Sequence, residues 1–364
     1  MKKISICTVS MNRLFHIRET LPANIKDNIE YSNIEYILLD YNSSDGLSNW
    51  IKCQMMEHIN SGLLKYFRIS TPTYFDRCHS RNLACKLASG EIIALVDADN
   101  YMGKGYAEWL ANVFQSEGDD SVLTNIGSES IMFRDQGGKC AFHANHFLNA
   151  RGFDEMMNGY GFEDVDFIQR LVQVGGKRMP IQTMEFFKFI GHSDVERICN
   201  EHLMNNVVSM YTLLSKNLGK QKELQILYLF DDNRFMHVTF LFKSELETKF
   251  YASHRGWLIK PNGRRLGSYR LSEAFLDLTY DETDTQVQFS ADEAGNLLMT
   301  NDNDKKWLLV PMNIEAYSEY NLLYTECWNR SVYYSNTKGN STVNPDGFGK
   351  GEVVLNFTES LIIT

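Results

Sequence analysis

The sequence predicts an α/β protein: a Rossmann-like, mostly parallel sheet wound with helices, followed by a smaller β-rich domain. Three observations point there. Short apolar runs at Ile4–Val9, Tyr36–Leu39, Lys65–Ile69 and Ile92–Val96 alternate with helical segments, and each run empties into a polar loop. That is the pattern of strands buried on both faces and joined by right-handed crossovers. From Ile226 onward the texture changes to short strand-like runs separated by turns, which suits antiparallel structure. A length of 364 residues suits two domains rather than one.

Composition bounds the possibilities. Hydrophobic residues make up 43% and charged residues 23% of the chain, a globular balance with ample material for a core. A formal charge of -10 with no Lys/Arg cluster excludes a general nucleic-acid binder. The seven cysteines are scattered, with no Cys-x-x-Cys pair, so reduced thiols in a cytoplasmic protein are expected. The apolar run after Met1-Lys2-Lys3 is too short for a signal peptide, and no stretch reaches membrane-spanning length. Any membrane contact is therefore expected to be peripheral, at the inner face. Oligomeric state is left open.

In chain order, Ile4–Val9 reads as the first strand, followed by the turn Ser10-Met11-Asn12-Arg13 and a helix to about Asn28 that Pro22 interrupts or kinks. Tyr36–Leu39 ends in Asp40 and a cluster of turn formers, Asn42 to Gly46. Trp50–Ile59 reads as helix, Lys65–Ile69 as strand, and Arg77–Ala88 as a helix stopped by Gly90. The fourth strand, Ile92–Val96, ends in Asp97 and Asp99, which strand geometry would point the same way. Two readings stay open for that pair: a solvated polar loop, or a site for a hard divalent cation carrying a diphosphate at the carboxyl end of a sheet. Ser10, Asn12 and Arg13, together with Asp40 and Asn42, fall at the same end, where a nucleotide would lie. No glycine-rich phosphate loop is present.

Farther on, Tyr106, Leu110, Val113 and Phe114 mark the core face of a helix. The region Gly137 to Asp166 contains Asn158-Gly159-Tyr160-Gly161, a flexible turn, then a helix whose first turn holds Glu163 and Asp164. Those acids either complement the helix dipole or include a general base kept ionised by it. His192 is a further candidate, alongside the ordinary reading of a structural or surface histidine.

Taken together, Thr8–Arg13, Leu39–Gly46, Ser80–Ala84, Val96–Asp99, Asn149–Glu155 and Gly159–Asp166 resemble the motifs, in order, of family-two-like inverting glycosyltransferases with the GT-A fold. The likeness is to β-galactosyl- and N-acetylgalactosaminyltransferases and chondroitin-type polymerases, and it covers residues 3 to 200. It implies a nucleotide-sugar donor, a UDP-sugar, used with Mn²⁺ or Mg²⁺ to glycosylate a saccharide or glycoconjugate hydroxyl in bacterial polysaccharide biosynthesis. By the resemblance Asp40 contacts uridine, with Ser10, Asn12 and Arg13 in the same pocket, and Arg81 assists the diphosphate. Asp97 lies near ribose and metal, Asp99 and His192 are the direct metal ligands, Asp164 is the catalytic base, and Glu163 contacts donor or acceptor sugar. The Gly-Tyr-Gly-Phe-Glu-Asp stretch departs from the Trp-Gly-Trp-Gly-type loop of the animal galactosyltransferases.

The expected domains are 1–215 (transferase), 216–225 (linker) and 226–364 (β-rich). Asn200–Leu214 reads as an amphipathic helix, and the β-rich part as a sandwich or curled sheet with turns at Pro261-Asn262-Gly263 and Pro345-Asp346-Gly347. Trp257, Trp307, Trp328, Tyr333 and Tyr334 are core residues or sugar-stacking platforms. Sequons occur at Asn329, Asn340 and Asn356. Two other functions stay in view: a non-catalytic glycan-binding protein with a degenerate transferase domain, and a sugar-nucleotide pyrophosphorylase, whose Gly-rich basic loop is missing here.

Overall fold

The computed structural model describes residues 1–125, 138–218, 221–243, 260–272, 275–300, 302–339 and 342–364; Gly137, Trp257 and Asn340 lie outside them. The chain divides into two units, Met1–Ser193 with Val332–Thr364, and Asp194–Ser331.

The first unit is built in order from β1 (Ile4–Ser10), α1 (Leu14–Asn28), β2 (Ile34–Tyr41), α2 (Leu47–Gln54), α3 (Met56–Asn60), β3 (Leu64–Ile69), α4 (Arg77–Leu87) and β4 (Ile92–Leu95). There follow α5 (Tyr106–Glu117), β5 (Ser121–Thr124), β6 (Cys140–His143), α6 (Ala144–Asn149), α7 (Glu163–Gln173) and β7 (Lys177–Pro180). The chain returns to it at the end through β16 (Gly351–Leu355) and β17 (Glu359–Ile363). Among the described residues these strands form a nine-stranded sheet in the order β17-β16-β3-β2-β1-β4-β6-β5-β7. The central strands β3, β2, β1 and β4 are parallel, as the alternating pattern predicts, whereas β6 and β16 run antiparallel to their neighbours.

Alternation along the central strands explains why their sequences are mostly apolar. Ile4, Ile6, Tyr36 and Leu38 pack into one core with α1 and α5, while Cys7, Ile37, Leu39 and Leu95 pack into the other with α4 and α7. Both faces are covered, so most positions exclude water. Helix α1 continues through Pro22 rather than stopping there. Helix α4 ends at Leu87, where Ala88 turns extended, ahead of the expected stop at Gly90.

In the second unit, two short helices, α8 (Asp194–Ile198) and α9 (His202–Asn206), precede eight antiparallel strands. These are β8 (Val207–Leu218), β9 (Gln221–Phe230), β10 (Arg234–Lys243), β11 (Lys260–Leu271), β12 (Phe275–Tyr280), β13 (Gln286–Ala291), β14 (Leu297–Met299) and β15 (Asp302–Leu309), which close into a barrel. Helix α10 (Ile314–Thr337) follows. The expected helix over 200–214 is therefore mostly strand. Val207, Val208 and Thr212 are β-branched, and pairing with β9 and β15 on either side overrides a helical spacing. Of the expected linker over 216–225, residues 216–218 lie in β8 and 221–225 in β9, which pair antiparallel. Pro261-Asn262-Gly263 lies inside β11, at a bulge opposite Thr239 and Phe240, one of the few places a strand accepts proline.

Closure removes the edges that an open sandwich would expose. Leu227, Leu229, Phe235, Leu278 and Trp307 form one core, while Ile226, Tyr228, Met236, Val238 and Phe240 form another with Tyr317, Leu323 and Tyr324 of α10. The two sets alternate along β9 and β10. Trp307 is thus a core residue, and the face of Trp328 carries the Arg264 guanidinium at 4.2 Å. Asn329 is fully buried, which removes it as a glycosylation site. Among the described residues no helix is long and apolar enough to cross a membrane.

Strand β16 covers the edge of β3 and buries Val353 completely. Deleting residues 351–364 bares that edge together with apolar surface, so loss of the monodisperse species in size-exclusion chromatography is expected.

Candidate active site

The centre of the site is Arg81, on the second turn of α4 and 5% exposed. Its Nη1 donates to Asp164 Oδ1 at 2.6 Å and lies 3.7 Å from Glu163 Oε1, and its Nη2 donates to Asp97 Oδ1 at 3.1 Å. The guanidinium rests over the Phe153 ring, 5.4 Å from its centroid. Local sequence delivers the two acids of α7. Gly159 and Gly161 take positive φ of 76° and 109°, and Phe162 follows at 67°, so the chain reverses sharply into a helix that starts on Glu163. Glu163 Oε2 accepts the Gly161 N–H at 2.8 Å, which closes the reversal.

One cation facing three carboxylates sets the electrostatics. The charges of Asp164, Asp97 and Glu163 overcome burial and hold the Arg81 pKa well above its ordinary value. Burial, against the pull of Arg81 and with help from Glu163 and Asp97, pushes the Asp164 carboxyl up to about 7. An acid poised near neutrality at a helix N-terminus is suited to taking a proton.

Asp97 and Asp99 do not point the same way. Strand β4 ends at Leu95, and both residues lie in the turn beyond it, where Asn100 N–H bonds the Asp97 carbonyl. Asp97 faces Arg81, while Asp99 Oδ2 lies 3.0 Å from His192 Nε2. Burial works to raise the Asp99 carboxyl, but the hydrogen bond and charge of His192, with Asn100, outweigh it and hold it below the usual range. The segment carrying His192 is fastened to the turn by backbone bonds Tyr101 N–H to Lys188 O and Ile190 N–H to Asp99 O, each 2.9 Å. Lys139, which the sequence reading did not single out, ties the same pieces together by donating to the carbonyls of Tyr101 and Phe186. Burial lowers its pKa to about 7 despite Asp97 and Asp99 nearby.

The donor set of Asp99 and His192 fits a divalent ion. Two adjacent ligands of an octahedral ion, each about 2.1 Å from it, stand about 3 Å apart, as Asp99 Oδ2 and His192 Nε2 do. Among the described residues no three His, Cys, Asp or Glu side chains converge on one point. Asp97, expected near the ribose and the metal, pairs with Arg81 in this structure. A two-ligand protein site suits an ion whose remaining positions are filled by phosphate oxygens and water.

The nucleotide-side residues divide differently from expectation. Asp40 is fully buried, accepting from Ser43 N–H at 2.7 Å, Tyr66 Oη at 2.5 Å and Arg68 Nη1 at 3.3 Å. Asp40 thus links the loop after β2 to Tyr66 and Arg68 of β3. Ser10 is likewise buried. Asn12, at φ 54°, accepts the Ser44 N–H at 2.7 Å and so joins the loops after β1 and β2. Asn12 and Arg13 remain half-exposed on that rim. Tyr66 and Arg68 carried no local signal, since they meet Asp40 only through the β2–β3 register.

Residues 5–172 match the family model for glycosyl transferase family 2. No curated protein matches the chain. Similar solved structures include Staphylococcus aureus TarS 1-349, at 19% identity over 51% of this chain and 59% of that one, TM-score 0.42. Another is the mannosyltransferase PcManGT from Pyrobaculum calidifontis in complex with GDP-Man and Mn²⁺, at 16% identity over 56% and 63%, TM-score 0.45. A third is the catalytic domain of Drosophila β1,4-galactosyltransferase 7 in complex with xylobiose, at 15% identity over 56% and 75%, TM-score 0.38. The chain spans less than two thirds of the first two.

Two substitutions test the network. Arg81→Gln leaves three carboxylates facing one another, and a loss of about 3–5 kcal/mol in urea unfolding is expected. Gly138→Ala puts a methyl 2.1 Å from Asp97 Oδ2 and 2.9 Å from Arg81 Nη2, so it should lower both melting temperature and activity.

Proposed function

We propose, on the match of residues 5–172 to the family model for glycosyl transferase family 2, that the protein transfers a hexose or N-acetylhexosamine from a UDP-sugar to a hydroxyl of a saccharide or glycoconjugate, with inversion. The observation that carries this reading is the placement of Asp164, a carboxyl with a pKa near 7, on the same arginine as Asp97, one residue from the Asp99–His192 pair.

In this reading Asp164 accepts the proton of the acceptor hydroxyl as its oxygen attacks the anomeric carbon from the face opposite the leaving diphosphate. The C–O bond to the nucleotide breaks as the new one forms, and a single displacement turns an α-linked donor into a β-glycoside. Arg81 holds Asp164 in place and keeps a positive charge beside Asp97. Glu163, fixed by the Gly161 N–H, lies where it can meet a sugar hydroxyl. Asn12 and Arg13 line the nucleotide rim, with Ser10 and Asp40 shaping it from behind. Asp99 and His192 would hold Mn²⁺ or Mg²⁺, which when bound neutralises charge on the leaving diphosphate; an imidazole donor favours Mn²⁺. The seven free thiols support a reducing, cytoplasmic setting.

The direct test is release of nucleoside diphosphate from a panel of UDP- and GDP-sugars, with Mn²⁺ and with chelator. Chelator-sensitive turnover of a UDP-sugar is expected; absence of both turnover and nucleotide binding would overturn the reading in favour of glycan binding alone. Asp164→Asn should cost about 10²–10⁴-fold in kcat. The base must be ionised, so activity should fall as pH drops through about 7. A carboxyl whose folded pKa lies above its unfolded value takes stability away as pH rises from near 4 through 7. Asp164→Asn should therefore melt no lower than the parent at pH 8.

A further inference from the structure

The last 33 residues that return to the first unit, Val332–Thr364, do more than extend its sheet. Asn336, in the final turn of α10 and buried, uses both hydrogens of Nδ2: one goes to Asp154 Oδ2 at 2.7 Å and one to Asp166 Oδ1 at 2.9 Å. Asp166 in turn accepts Arg170 Nε at 2.7 Å, and Arg170 Nη1 donates to the Gly152 carbonyl at 2.6 Å. Asn344, at φ 46°, donates to the carbonyls of Arg151 at 2.7 Å and Phe153 at 2.8 Å and accepts the Glu155 N–H at 3.0 Å. The loop 151–155 is thus gripped on its backbone by residues nearly two hundred positions later.

What that loop supports is the arginine. The Phe153 ring stacks on Phe167 of α7 at 4.0 Å and lies beneath Arg81. Asp166 stands two residues beyond Asp164 in the same helical turn. We infer that Asn336 and Asn344 are positioning residues for glycosyl transfer: they set the loop 151–155 and the first turn of α7 so that Arg81 and Asp164 meet. The inference rests on the transferase reading for its functional meaning. Neither asparagine touches a reacting group: Asn336 gives its two donors to two carboxylates, and Asn344 donates to two carbonyls while accepting one N–H, a combination that an amide supplies. Without Asn336, a buried carboxylate oxygen on Asp154 and one on Asp166 each lose a donor.

The test uses the full chain. Asn336→Leu keeps the size and removes both donors, and Asn344→Ala removes the loop's backbone grip. For each, kcat should fall about 10- to 100-fold, the loss typical of an ångström-scale misplacement, while KM for the donor stays within about twofold. Hydrogen exchange followed by mass spectrometry should show faster exchange over 150–166 and no change in β1–β3. Parent-like exchange over 150–166 in both variants would overturn the positioning role whatever the activity. So would parent-like kcat. If the parent itself turns over no sugar nucleotide, the transferase reading falls, and unchanged or accelerated exchange still decides whether these asparagines hold the loop.

Discussion

A single buried cation organises the candidate site of this molecule. Arg81 is drawn upon by Asp164, Asp97 and Glu163, which arrive from α7 and from the turn after β4. An arginine suits the position because its planar fork presents several donors at fixed angles, which a lysine ammonium cannot reproduce. Three acids against one base leave a local excess of negative charge, and that excess, with burial, keeps Asp164 protonatable near neutrality. The same imbalance fits a site that receives a metal ion, because added positive charge would relieve it.

The neighbouring Asp99–His192 pair is held in a different way. Its two members come from the turn after β4 and from a segment near the end of the first unit, and backbone bonds between Asp99, Tyr101, Lys188 and Ile190 fix their separation. Lys139 reinforces the join from below, a buried amine whose own charge is weakened by its surroundings. The carboxylates at the end of β4 therefore serve two purposes. One is bound to the Arg81 network, and the other is paired with an imidazole.

The second unit follows a simpler logic. Its eight antiparallel strands carry apolar residues on both faces of β9 and β10, because one face fills the barrel and the other is covered by α10. His237 sits inside, its two ring nitrogens facing Tyr280 Oη at 2.8 Å and Gln225 Oε1 at 2.9 Å. Burial and the nearby Arg265 lower its pKa to about 3, so it stays neutral and serves as a polar strut in an otherwise apolar interior.

How much of this the sequence contained depends on the range of each interaction. The parallel strands, the helices α4, α5 and α7, and the positions of Asp97, Asp99, Asp164 and His192 within turns and helix starts were legible, because apolar periodicity and turn chemistry are local. The strand β8, the barrel's closure and the returning strands β16 and β17 were not, because pairing partners far along the chain decide them. Tyr66 N–H, for one, bonds Asn356 Oδ1 across 290 positions. The same holds inside the site. That Asp97 faces Arg81 while Asp99 faces His192, that Asp40 turns inward to Tyr66 and Arg68, and that Asn336 reaches Asp154 are facts of tertiary packing. Sequence supplied the chemical groups at one end of a sheet; only the folded chain, by choosing which charges to bring within hydrogen-bonding distance, assigned each group its partner.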